Sequence, residues 1–168
     1  VLSLEADTGK ELWSYDPKAS APNWQRCRGL GYYDNAAQPA SSPVVAASAS
    51  APAMCERRLF LPTIDARLIA IDADTGKPCA DFGDNGTVDL KAGMGEVKPG
   101  YYQQTSTPLV AGNLVVVGGR VADNFSTCEP PGVLRSYDVH TGELAWAWDP
   151  GNPAITKLPP AGETYTRG

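Results

Sequence analysis

An all-β fold of repeated four-stranded antiparallel units is the architecture this sequence predicts, and three observations predict it. A turn motif recurs at a near-constant interval, short β-branched runs lead into and out of each copy, and long Gly/Pro/Asn-rich loops separate the groups of runs. The motif reads Ala6-Asp7-Thr8-Gly9-Lys10-Glu11-Leu12-Trp13, returns as Ala73-Asp74-Thr75-Gly76-Lys77-Pro78-Cys79-Ala80, and returns again as Val139-His140-Thr141-Gly142-Glu143-Leu144-Ala145-Trp146. Its glycines are Gly9, Gly76 and Gly142, so the intervals are 67 and 66 residues. The flanks repeat too. Trp13-Ser14-Tyr15-Asp16-Pro17 matches Trp146-Ala147-Trp148-Asp149-Pro150, while the middle copy has Ala80 where the others have tryptophan.

Each element follows from this repeat. Residues 1–4 and 11–15 flank the first turn as the last two strands of a unit that begins upstream. Runs at 42–47, 58–63 and 67–71, with the segment after the second turn, make the next four strands; runs at 107–110, 114–117, 133–137 and 144–148 make four more. Four-stranded antiparallel units in series are the signature of β-propeller blades, whose sheets need neighbours to cover both faces. The expected division is 1–17 for the end of one blade, 18–40 for a loop, 41–82 for a second blade, 83–103 for a loop, 104–150 for a third blade, and 151–168 for an aperiodic connector. Usual blades run about 40 to 50 residues, so the longer interval leaves excess chain in the two loops, where sites are commonly built. About two and a half blades leave sheet uncovered, and the chain reads as part of a longer propeller.

Composition narrows the function. The 168 residues are 42% hydrophobic and 20% charged, ordinary for a globular protein. Fourteen basic and nineteen acidic residues leave a net charge of −5 with no basic run, so a nucleic-acid partner is not expected. No apolar run approaches the ~20 residues of a membrane-spanning helix, and any targeting or membrane segment is expected outside this chain. Cys27, Cys55, Cys79 and Cys128 form no CxxC pair, which argues against a structural zinc site. They allow three disulfide pairings or free thiols.

The stretch from Gln104 to Gly132 carries the strongest chemical signal. A β-branched run containing Thr105, a turn at Ala111-Gly112-Asn113 and an apolar strand end at Gly118-Gly119, where backbone is able to approach a ligand closely. Arg120-Val121-Ala122-Asp123-Asn124 follows, and the adjacent oxygen donors of Asp123 and Asn124 suit Ca²⁺ or Mg²⁺. The same pair also reads as an ordinary turn cap. Trp24 lies outside the repeat in a loop with Arg26 and Arg28, a flat ring and guanidinium groups suited to a planar anion, or equally to anchoring the loop. His140, the one histidine, occupies a repeat turn and reads as structural. Asp81-Phe82-Gly83-Asp84-Asn85-Gly86 lacks the terminal Glu of a calcium loop, and neither Gly29-Leu30-Gly31 nor Thr8-Gly9-Lys10 completes a nucleotide-binding motif.

The tryptophan-bearing repeat, Cys27-Arg28-Gly29, Ala66-Arg67-Leu68-Ile69-Ala70, and above all Val121-Ala122-Asp123-Asn124-Phe125-Ser126-Thr127 followed by Gly132-Val133-Leu134-Arg135, resemble the quinoprotein dehydrogenases that use pyrroloquinoline quinone (PQQ). The nearest likeness is to the membrane-bound glucose and quinate/shikimate branch. The resemblance implies a partial segment of an eight-bladed propeller at the periplasmic face of the inner membrane, anchored outside this chain. It further implies PQQ and Ca²⁺ or Mg²⁺ on the axis, with electrons passed to ubiquinone. Residue by residue, Asp123 falls at a carboxylate ligand to the ion with Asn124 beside it. Thr105 matches a threonine that hydrogen-bonds PQQ, Arg28 an arginine that contacts the quinone, and Arg120, Val121 and Ala122 backbone that approaches the PQQ carboxylates. Trp24 stands where the glucose enzymes have histidine, which points away from glucose and toward a cyclic polyol acid such as quinate or shikimate. The implied chemistry is hydride transfer from the substrate carbon to the quinone, with the ion as Lewis acid and an aspartate taking the hydroxyl proton. That aspartate belongs to later blades, so no catalytic residue is expected in this chain, which alone is expected neither to bind PQQ tightly nor to turn over. The rival readings are a glucose or other polyol dehydrogenase of the same family, and a non-catalytic propeller scaffold.

Overall fold

The repeated turn is built the same way three times. Gly9, Gly76 and Gly142 sit at φ 71°, 72° and 71°, a left-handed conformation that costs an ordinary side chain roughly 1 to 2 kcal/mol. Their N–H groups donate to the carbonyls of Glu5, Asp72 and Asp138 at 2.8, 2.9 and 3.0 Å. In the second copy Asp72 Oδ1 also accepts from the N–H groups of Asp74 and Thr75 and from the Thr75 hydroxyl. In the third, Asp138 Oδ1 accepts from His140, Thr141 and the Thr141 hydroxyl in the same way. The first copy carries Glu5, one methylene longer, whose carboxylate accepts the Thr8 hydroxyl.

The computed structural model describes residues 1–22, 27–37, 55–122, 124–126 and 128–167. Around the first turn, β1 (Leu2–Leu4) pairs antiparallel with β2 (Glu11–Ser14). The second sheet runs β3 (Gly31–Asp34), β4 (Arg57–Pro62), β5 (Arg67–Asp72) and β6 (Thr87–Asp89) in spatial order. The third runs β8 (Leu109–Ala111), β9 (Leu114–Gly118), β11 (Leu134–Asp138) and β12 (Leu144–Trp148). A two-stranded ribbon joins β7 (Tyr102–Gln103) to β10 (Arg120–Val121). Among the described residues there is no α-helix, only a 3-10 turn at Asn35–Ala37.

The second sheet differs from the strand reading of the sequence at both edges. Its first strand is Gly31–Asp34, with Gly31 opposite Phe60 and Asp34 opposite Arg57; the run at 42–47 lies outside the described residues. Its last strand is not the segment directly after the second turn. Pro78 bridges to Ile71, residues 79–86 then leave the sheet, and Thr87–Asp89 returns to pair with Ile69, Leu68 and Arg67. The second sheet therefore spans 31–89 rather than 41–82.

That excursion performs a docking task. In the first repeat Trp13 lies over the next blade's turn: its Nε1–H donates to Ala73 O at 3.1 Å, and a Cβ on Gly76 would come within 2.5 Å of the indole. The middle repeat has no tryptophan, and the loop after Pro78 fills the role with backbone. Gly83 N–H donates to Thr141 O at 2.8 Å, and a Cβ on Gly142 would lie 2.7 Å from Gly83 N. A Cys55–Cys79 disulfide holds one end of this loop, leaving Cys27 and Cys128 free and exposed. Phe82 is buried against Phe60 with ring centroids 5.5 Å apart. Arg58, also buried, reaches the Asp81 carboxylate and His140 O, so it ties its own blade to the next. His140 is the interface residue of that turn, its Nε2 3.1 Å from the Tyr33 hydroxyl.

Burial on both faces explains why these sheets stack. Along β5, Leu68 and Ala70 pack toward the third sheet with Phe60, Val115 and Val117, while Ile69 and Ile71 pack with Leu61 toward Trp13 and Tyr15. Period-two alternation thus delivers two apolar faces, the arrangement a blade between neighbours requires. Residues 151–167 fold back onto the third blade and the loop before it: Tyr165 is buried, its N–H donates to Gly93 O at 2.9 Å, and the Asp149 carboxylate accepts from the N–H groups of Gly151 and Thr166.

Candidate cofactor and substrate site

The β7–β10 ribbon holds three of the predicted site residues, Arg120, Val121 and the adjoining Ala122. Arg120 is the register partner of Gln103 and Val121 of Tyr102, and Ala122 N–H donates to Tyr101 O at 2.8 Å. The close approach at Gly119 is required: a Cβ there would stand 2.2 Å from the Tyr102 ring. Tyr102 is held in turn by Arg135, a buried guanidinium that donates to its hydroxyl at 3.2 Å and to the carbonyls of Leu90 and Ala92. Arg135 also lies 5.9 Å from the centroids of the Tyr102 and Tyr165 rings. Burial pushes the Tyr165 hydroxyl upward and that of neighbouring Tyr137 up to about 12, the Arg135 charge pulling the other way in both.

Two residues beyond β7 comes Thr105, 8% exposed, whose hydroxyl has no partner among the described residues. The Arg28 loop meets the same segment, since a Cβ on Gly29 would stand 2.4 Å from Thr107 Oγ1. Arg120, Val121, Ala122, Thr105 and Arg28 therefore border one continuous stretch, residues 101–107. Arg120 donates to Gln103 Oε1 at 3.1 Å. Neither Arg28 nor Arg120 has a carboxylate partner among the described residues. Trp24 and Asp123 lie outside the described residues. Asn124 is exposed at φ 62°.

Several polar groups here give no motif in the sequence. Gln104 is fully buried with neither amide atom hydrogen-bonded, and Gln103 Nε2 is likewise unpaired. Val121 and Ala122 line a cleft of about 470 Å³ that Glu129, Thr166 and Arg167 close from the other side. A second cleft of about 370 Å³, sharing Pro130 and Arg167 with the first, is lined by Glu96, Lys98, Tyr101 and Ser126. Thr105 and Arg28 line neither cleft. Among the described residues the group with metal-ligand spacing is Cys55, Cys79 and Asp81, two of whose sulfurs are consumed by the disulfide.

Residues 1–168 match the family described as PQQ: glucose/ethanol/alcohol dehydrogenase, beta-propeller domain. The quinate/shikimate dehydrogenase (quinone) of Acinetobacter baylyi is 44% identical over 173 residues, covering 99% of this chain and 21% of that protein. A probable quinate dehydrogenase (quinone) of Xanthomonas campestris pv. juglandis is 49% identical over 99% of this chain and 22% of its own length. The quinoprotein glucose dehydrogenase of Escherichia coli is 42% identical over 99% and 20%. The chain spans about a fifth of the length of these curated relatives. The structure of quinohemoprotein alcohol dehydrogenase from Comamonas testosteroni superposes with a TM-score of 0.59 at 22% identity, covering 90% of this chain and 19% of that one, a likeness of fold.

Proposed function

This chain belongs to the β-propeller domain family of PQQ-dependent glucose, ethanol and alcohol dehydrogenases, and on that premise we propose that the whole protein oxidises a polyhydroxy acid of the quinate/shikimate type, passing electrons to ubiquinone. The observation that supports the reading is the pairing of the Arg120–Ala122 segment with residues 101–103, two residues before Thr105, and the packing of Gly29, next to Arg28, against Thr107. The groups along this wall, the stretch 101–107 and the segments that meet it, suit PQQ, a planar tricarboxylate. Among the described residues, two guanidiniums without carboxylate partners answer its charge, a threonine hydroxyl without a hydrogen-bond partner answers its oxygens, and buried glutamine amides with unpaired atoms stand at Gln103 and Gln104, next to Thr105 in the chain. Thr105, Arg28, Trp24 and the Arg120–Ala122 backbone would hold it; Asp123 and Asn124 would hold Ca²⁺ or Mg²⁺. Bound there, the cofactor supplies the hydride acceptor and the ion a Lewis acid.

The chain's own residues bind and orient. Gly119 lets β10 lie against Tyr102, Arg135 fixes the Tyr102 hydroxyl, and Ala122 is pinned to Tyr101; a wall so braced holds a rigid ligand with little reorganisation. The proton acceptor for the substrate hydroxyl belongs to chain beyond this wall in the same proposal. A disulfide at Cys55–Cys79 supports a location in an oxidising compartment, in keeping with the periplasmic face of the inner membrane. The test is dye-linked oxidation by the full-length protein supplied with PQQ and Ca²⁺ or Mg²⁺, comparing quinate, shikimate, glucose and glycerol. Turnover with the two acids at least about tenfold above the neutral polyols in kcat/KM is expected, the discrimination a dedicated charge-assisted contact supplies. Preference for glucose or glycerol would replace the substrate assignment, and a lack of PQQ-dependent turnover on any of them would return the protein to a scaffold.

A further inference from the structure

The cleft of about 370 Å³ beside the cofactor wall holds two cations, Lys98 and Arg167, that form no ion pair among the described residues, in a chain whose net charge is −5. Lys98 is exposed, and its ammonium lies 5.6 Å from the centroid of the Tyr101 ring with no carboxylate partner among the described residues. Arg167 is anchored by its Nη1 to the carbonyls of Met94 and Glu96, by Nη2 to Cys128 O, and by Nε to Cys128 Sγ at 3.2 Å. Four of its five N–H groups are thereby committed, which leaves one N–H and the charge without a partner among the described residues. A lone arginine held by carbonyls is a fixed positive site rather than a mobile surface charge.

The remaining lining completes the chemistry of a specific ligand. Tyr101 and Phe125 present rings 5.9 Å apart, an apolar face for a small carbocycle. Ser126 Oγ accepts from Cys128 N–H at 3.2 Å, so its own proton is available to donate. Glu96 lines the same cleft and carries a carboxylate able to accept from hydroxyl groups. Tyr101 is also the residue whose carbonyl receives Ala122 N–H, so the cleft adjoins the wall assigned to the cofactor. A neutral sugar makes no use of the cations, and a simple carboxylate makes none of Glu96 and Ser126. A ring bearing both a carboxylate and hydroxyls uses all of them.

Resting on the reading that the substrate is a polyhydroxy acid, the geometry points to Lys98 and Arg167 as the subsite for its carboxylate, with Tyr101 under the ring and Glu96 and Ser126 on its hydroxyls. Lys98 is the residue to change, because its side chain is exposed, whereas Arg167 braces two backbone segments, Met94–Glu96 and Cys128. In the full-length holoenzyme, Lys98→Gln is expected to raise the ratio of KM for quinate to KM for glycerol about tenfold, with kcat for quinate held within about twofold; Lys98→Arg is expected to restore the ratio. The KM for quinate should also rise with ionic strength in the wild type and do so less steeply in Lys98→Gln. Quinate binding to the PQQ-free full-length protein, followed by calorimetry, should weaken by the same factor. A wild type that oxidises quinate while Lys98→Gln leaves the KM ratio and the calorimetric affinity unchanged would overturn the subsite alone. A wild type that oxidises only neutral polyols would overturn the substrate reading and the subsite with it.

Discussion

Two interfaces between successive blades use the same socket and different plugs. At the first, an indole lies on Gly76 and donates to Ala73 O; at the second, the backbone of Gly83 lies on Gly142 and donates to Thr141 O. The socket is the repeat turn, whose glycine leaves an open surface; the accepting carbonyl is that of the third residue before the glycine at the first interface and of the residue just before it at the second. The second plug needs more support, because a loop lacks the rigidity of an aromatic ring. It receives that support from the Cys55–Cys79 disulfide, from buried Phe82, and from Arg58 spanning Asp81 and His140 O. Loss of tryptophan from the middle repeat is thus an exchange of one docking device for another, and the eight residues 79–86 that leave the sheet are that device.

The comparison breaks most sharply at Gly142. A methyl there meets backbone 2.7 Å away, which is unable to swing aside, on top of the left-handed φ. Gly142→Ala is expected to cost about 3 to 4 kcal/mol, the sum of the φ penalty and overpacking, read as a lowered denaturation midpoint. If it costs no more than Gly76→Ala, the backbone plug is not the rigid contact described. Next in size, replacing Cys55 and Cys79 together by serine should cost about 3 kcal/mol from the freed loop alone. Because the disulfide holds the docking loop, amide exchange should accelerate at Gly83 and in the Asp138–Gly142 turn, while that at Trp13 Nε1 stays slow. Uniform acceleration at both interfaces would show that the bridge stabilises the chain without serving the second one.

The fold was readable where local chemistry repeats. The Gly9, Gly76 and Gly142 turns, the alternation along β5 and the strands of the third sheet all follow from short-range patterns. The edges of the second sheet were not, for two physical reasons. Gly31–Asp34 is separated from its partner by more than twenty residues, so no hairpin signal connects them. Thr87–Asp89 is three residues long and follows the Gly- and Asn-rich loop 83–86, which a pattern reader takes for continuing loop. At the site, the Gly118-Gly119 signal for close approach was legible, and the structure supplies its object, the Tyr102 ring. The pairing that brings Arg120 and Val121 to Gln103 and Tyr102 was not, since two-residue strands carry no period. Arg167 was missed because the Pro-rich tail 151–168 repeats nothing, and its carbonyl contacts exist only in three dimensions.

A smaller effect sharpens the function of the site wall. Tyr102→Phe removes one hydroxyl contact with Arg135 and leaves the ring against Gly119. It should cost about 1 kcal/mol of stability, and it should loosen PQQ binding to the full-length apoprotein, measured by titration, by severalfold if the Arg135 brace positions Arg120 and Val121. Unchanged PQQ affinity with the stability loss intact would make Arg135 a purely structural residue.

The finest comparison lies among the glycines themselves. Nothing stands within 4 Å of a Cβ placed on Gly9, whereas on Gly76 it meets the Trp13 indole at 2.5 Å; both have the same backbone conformation. Gly9→Ala therefore isolates the φ penalty, about 1 kcal/mol, and Gly76→Ala adds displacement of a ring that is free to tilt, for about 2 kcal/mol in all. In a Trp13→Ala background the obstacle is gone, and Gly76→Ala should fall back to the Gly9 value. The double-mutant cycle should thus show a coupling of about 1 kcal/mol between positions 13 and 76. Additive losses at these two sites would mean that the indole does not rest on the glycine, and the shared-socket account of the two interfaces would fail at its simpler end.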